Sequence, residues 1–142
     1  MGKEHVVTEL VNCLLDESPG VVREAGGLLA RLVKRVPGDA LLKIVMEASS
    51  EKAKQTALRL IFEKGKWDSL PWLIPAADHC DETVASNALA FIEAWFTPPL
   101  CNRVFTRPSP SEREAIQDAI SAKKESLPGG FAYKLNSWIT GR

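Results

Sequence analysis

The sequence predicts an all-α protein: a right-handed α-α superhelix of about eight helices, closed by a C-terminal helical cap that does not repeat. Three observations lead there. Apolar residues recur at helical spacing in one segment after another. The segments are separated by helix-capping residues, prolines and glycines. Above all, three stretches superimpose when aligned on an alanine: Ser18 to Ala25, Ser50 to Ala57 and Asp81 to Ala88. The alanines recur at intervals of 32 and 31 residues, a period typical of stacked helical repeats. Leu28, Leu60 and Phe91 follow three residues later and Leu29, Ile61 and Ile92 four later, while Val21, Ala53 and Val84 lie four before.

The first helix carries Val6, Val7, Leu10, Val11, Leu14 and Leu15 on one stripe, and in the repeat frame it takes the place of a second helix. Ser18 caps the next, with Pro19 at its first position, and this helix is expected to run to about Val36. Gly26-Gly27 in its middle costs about 1 kcal/mol per glycine against alanine, which points to a close helix-helix approach. After the turn Pro37-Gly38-Asp39, a short helix carries Ala40, Leu41, Ile44, Val45 and Ala48. Ser50 opens a helix with Ala53, Ala57, Leu60 and Ile61, ending near Gly65 with Lys64 and Lys66 beside the negative end of its dipole.

Asp68-Ser69 is expected to cap a helix with Leu70, Leu73, Ile74 and Ala77. Pro71 would then fall in its first turn and Pro75 inside, where it breaks the regular hydrogen bonding. Val84, Ala88, Phe91, Ile92 and Trp95 define the next helix. The repeats therefore span about residues 1–96, followed by a proline-rich connection over 97–109 and capping helices over 110–142, all in one helical domain. Ser109-Pro110-Ser111-Glu112 is a capping box; its helix carries Ile116, Ala119 and Ile120 and ends near Glu125. Pro128-Gly129-Gly130 precedes a last helix with Phe131, Leu135, Trp138 and Ile139.

Composition narrows the function classes. Eighteen basic and eighteen acidic residues among 142 give zero formal net charge, which disfavours nucleic acid as a partner because phosphate binding usually draws on a basic excess. Cys13, Cys80 and Cys101 are sparse and odd in number, as in a reducing, cytoplasmic setting. His79 and Cys80 are adjacent but lack the further ligands of a zinc site, so no metal or other cofactor is expected. No apolar run reaches the ~20 residues of a membrane span, so no membrane association is expected.

The order of a capping Asp or Ser, a valine, an alanine and a leucine pair, then a second helix opening Asp-Ser-Leu-Pro-Trp-Leu, resembles the HEAT-repeat family. Asp81-Glu-Thr-Val84 through Ala88-Leu-Ala-Phe91, preceded by Asp68-Ser-Leu-Pro-Trp-Leu73, carries it most closely, and the resemblance covers about residues 16 to 96. The family often has an arginine just after the valine; Arg23 fits, whereas the other copies have Lys54 and Ala85. The resemblance implies an α-solenoid whose second helices line a concave surface. It also implies an adaptor, scaffold or inhibitor that binds another protein. Small bacterial immunity proteins that occlude toxins, bilin lyases and a helical DNA glycosylase are alternatives within related lineages.

No catalytic constellation stands out. His5 and His79 lack recognisable partners, and hydrolytic triads, P-loops and dinucleotide-binding glycine motifs are absent from the sequence. The expectation is a non-catalytic module. Trp95 and Trp138 fall on apolar stripes and read as core. Trp67 and Trp72 are candidate interface anchors, with Lys43, Glu47 and Ala76 on the second helices expected to line the concave side. Arg103 and Arg107, with Asn102 and Arg113 nearby, form a local basic group and are the candidate contacts if the partner is a nucleic acid.

Overall fold

The computed structural model describes residues 2–78, 81–97, 108–123 and 137. The elements among them are all helical: α1 (Gly2–Cys13), α2 (Pro19–Arg31), a 3-10 turn (Val33–Arg35), α3 (Gly38–Glu47), α4 (Glu51–Glu63), α5 (Lys66–Ala76), α6 (Glu82–Phe96) and α7 (Pro110–Lys123). No helix of the described residues is long and apolar enough to cross a membrane. The expected helix with Phe131, Leu135, Trp138 and Ile139 lies outside the described residues, as do His79, Cys80, Cys101, Asn102 and the expected helix end near Glu125.

Local side chains start these helices as their chemistry requires. The Val21 amide donates to Ser18 Oγ at 3.5 Å, the Ala53 amide to Ser50 Oγ at 3.3 Å and the Thr83 amide to Asp81 Oδ1 at 2.9 Å. At α7 the capping box closes in both directions. The Glu112 amide donates to Ser109 Oγ at 3.2 Å, and the Ser109 amide donates to Glu112 Oε1 at 2.8 Å.

Two boundaries differ from the sequence expectation. The helix opened by Ser18 stops at Arg31, and the chain turns through a 3-10 element. Val36 is extended at φ −78°, ψ 124°, because the ring of Pro37 excludes the helical region for the residue before it. The next helix but two, α5, begins at Lys66 rather than after Ser69, whose hydroxyl donates back to the Lys66 carbonyl at 3.2 Å. Pro71 therefore lies inside α5, not in its first turn. Pro75 also lies inside, and α5 ends one residue beyond it.

The chain divides into two compact units, residues 1–65 and 66–142. In the first, α1 packs on α2, α2 on α4 and α4 on α3. Its core includes Leu14, Leu29, Leu41, Leu58 and Ile61, all fully buried. In the second, α5 packs against both α6 and α7 around Leu70, Leu73, Ile74, Ile92 and Ile116. Lys123 Nζ lies 3.2 Å from Asp78 Oδ2, which ties the end of α7 to the segment after α5.

The first unit holds a reciprocal pair of lysines. Lys64, only 8% exposed, donates from Nζ to the carbonyls of Val33 at 3.1 Å and Val36 at 2.6 Å. Lys34 Nζ in turn donates to the Lys64 carbonyl at 2.6 Å. Lys64 thus satisfies the end of the 3-10 turn as well as lying at the end of its own helix. Gly65 closes α4 at φ +116°, a left-handed conformation that glycine adopts without strain.

The glycine pair of α2 separates into two cases. A Cβ on Gly26 would sit 2.9 Å from Thr56 Cγ2, so this glycine permits the close approach of α2 to α4. A Cβ on Gly27 would meet nothing within 4 Å. Substitution should therefore act with opposite sign. Gly27→Ala is expected to stabilise the fold by about 1 kcal/mol through helix propensity. Gly26→Ala is expected to cost about 1 kcal/mol net, since overpacking against a stiff β-branched side chain outweighs that gain. Urea unfolding of the two variants checks this, and Thr56→Ala should rescue Gly26→Ala alone.

Candidate functional site

The α1/α3 groove contains two of the expected partner-binding residues. Its floor is apolar: Val7 and Val11 come from α1, Ile44 from α3, and all three are buried. Leu15, at 54% exposed, extends this surface beyond the end of α1. Lys43 and Glu47 are exposed on the rim one helical turn apart, and among the described residues neither is held in an ion pair. Lysine placed N-terminal to glutamate is the weaker order for a pair within one helix, so both charges remain available. The groove holds about 430 Å³, within the range of sites that bury a ligand or a row of side chains.

The other expected residues lie in the second unit. Trp67 is 9% exposed, and its ring meets Phe96 edge-on with centroids 6.0 Å apart. Lys66 Nζ lies 4.9 Å from the Trp67 centroid and 4.7 Å from that of Phe96, a cation-π contact that covers the pair. This indole packs more than it projects. Trp72 is half-buried in an open groove between α5 and α7, beside Pro71, Ala115 and the acidic residues Asp68, Glu112 and Asp118. Ala76 is fully buried and contributes no surface. Arg103 and Arg107 lie outside the described residues.

No family model, curated protein or solved structure matches this chain. Among the described residues no three of His, Cys, Asp and Glu come together as metal ligands. His5 Nε2 lies 3.1 Å from Glu9 Oε1 on the exposed side of α1, an i,i+4 helix pair rather than a catalytic arrangement.

The sequence expectation named Lys43 and Glu47, and the structure places them beside Val7 and Val11 of α1, which that expectation did not include. The available signal was the α1 stripe of Val7 and Val11, since apolar residues at helical spacing mark a face that another helix can cover. A further groove, between α2 and α4, was also missed. It contains Arg23, Lys52 and Arg59 around Gly26 and Gly27. The glycine pair was its sequence marker.

Proposed function

We propose that the protein is a non-catalytic, protein-binding module with a HEAT-like solenoid architecture, and that it holds an amphipathic helix of its partner in the α1/α3 groove. The observation that carries this reading is the apolar floor of Val7, Val11 and Ile44 bordered by Lys43 and Glu47, which form no ion pair among the described residues. An apolar helical face would cover the floor, and an acidic and a basic residue one turn apart would meet Lys43 and Glu47. The architecture is supported by the 32- and 31-residue intervals and by the burial of Ala25, Ala57 and Ala88. Direct packing of α2 on α4, the first helices of successive repeats, adds to that support.

Site-specific photo-crosslinking from Asn12, on the groove rim, tests the proposal. The wild-type chain is expected to capture one partner, whose crosslinked segment reads as an amphipathic helix. Leu15→Asp and Lys43→Glu should each weaken that complex at least about tenfold, the loss of one buried apolar contact or one charge pair. Both positions are exposed, so folding should survive the changes. Equal capture by all three proteins would overturn the proposal.

A further inference from the structure

Gly27 is the unexplained residue of the first unit. Glycine inside a helix weakens it, and at position 26 the close contact with Thr56 accounts for that weakness. At position 27 nothing does, because the space above its Cα is empty to 4 Å. That space belongs to the α2/α4 groove, which has a volume of about 280 Å³.

The groove is strongly cationic. Arg23 lies one turn before Gly26 and Gly27 on α2, while Lys52 and Arg59 stand about one turn either side of Thr56 on α4. Lys52 and Arg59 are seven residues apart, a span of about 10 Å along the helix. Glu63 is the one carboxylate among the lining residues, and it is engaged by Arg59, with Nε 3.4 Å from Oε1. Arg23 and Lys52 have no ion-pair partner among the described residues. A neutral chain has thus placed three cations around a cleft that the glycine pair lines together with Ala30, Thr56 and Leu60.

We propose that this groove binds the phosphate group of a small phosphorylated ligand. The absent Cβ of Gly27 leaves open space in which the anion can approach the helix backbone, in the same groove as the exposed side chains of Arg23, Lys52 and Arg59. Arg23 supplies a planar fork for two phosphate oxygens, Lys52 a point charge, and Arg59 a second fork when it turns from Glu63. No residue of the α1/α3 groove takes part, so this site stands apart from the proposed protein-binding function.

Calorimetry with inorganic pyrophosphate at low salt provides the test, with amide shifts of Gly26 and Gly27 as the local readout. Binding is expected for the wild type, weakened about tenfold by Arg23→Gln and again by Lys52→Gln, as for loss of a charge-assisted hydrogen bond. Arg35→Gln removes the same charge from an exposed position outside the groove and should leave affinity unchanged. Gly27→Ala should raise the unfolding midpoint while weakening pyrophosphate binding about tenfold. A merely structural glycine would not separate these two readouts. Glu63→Gln should tighten binding about threefold by freeing Arg59. No pyrophosphate binding, unchanged affinity in the Arg23→Gln/Lys52→Gln double variant, or unchanged affinity in Gly27→Ala would each overturn the proposal. So would tight binding of a ten-nucleotide single strand that pyrophosphate cannot displace, because that pattern belongs to a polymer-binding surface.

Discussion

Replacing Lys64 with methionine is expected to destabilise the first unit by about 3 kcal/mol, because two carbonyls lose a charged donor in a site that water does not readily reach. Lys64 Nζ donates to both Val33 and Val36, and the side chain is nearly inaccessible. Methionine keeps most of the aliphatic stem, so the loss reports the ammonium and not a cavity. In a chain of this length the change corresponds to a fall in Tm of about 10 °C. Lys34→Met should cost less, about 1 kcal/mol, since Lys34 is exposed and its single acceptor, the Lys64 carbonyl, can turn to water instead. The two effects should not add. Each lysine fixes the helix end that the other one caps, so a double-mutant cycle is expected to show coupling of at least ~0.5 kcal/mol. Chemical unfolding of the four proteins measures this. A Lys64→Met variant within ~0.5 kcal/mol of wild type would show that the Val33 and Val36 carbonyls are already hydrated.

Residues that act within a turn of themselves were readable from the sequence. Ser18, Ser50, Asp81 and the Ser109/Glu112 box cap helices because an oxygen two or three residues from an orphan amide reaches it whatever the remainder of the chain does. Ser69 shows the limit of that logic. It has the right chemistry for a cap, but Trp67 is drawn into contact with Phe96, and Lys66 to Asp68 continue the helix upstream. Tertiary packing moved the boundary. The sequence places Lys64 beside the negative end of its own helix, whereas its bonds to Val33 and Val36 cross 31 and 28 residues. No local pattern encodes such a partner. The candidate site divides in the same way: helical periodicity put Lys43 and Glu47 on one exposed face, but the groove they border exists only once α1 and α3 are placed together.

The repeat itself makes the sharpest energetic prediction, because positions equivalent in sequence are unequal in structure. Four residues past the aligned alanine, Leu29, Ile61 and Ile92 are all fully buried. Each should cost about 3 kcal/mol when cut to alanine, from lost transfer energy plus the cavity left behind. One position earlier the copies diverge, with Leu28 at 48% exposed and Leu60 at 2%. The reason lies in the packing of each helix. In the first unit α2 packs against α1 and α4, and among the described residues Leu28, together with Val21 four residues before the alanine, stays exposed. Leu60 belongs to α4, which packs against both α2 and α3. Leu60→Ala should therefore cost about 3 kcal/mol and Leu28→Ala less than ~0.5 kcal/mol, although an alignment of the repeats treats them as the same residue. Urea titration of the two variants decides the matter. Equal losses at 28 and 60 would mean that Leu28 is covered in solution, and the first repeat would then have a packing partner on the side that α1 and α4 leave open.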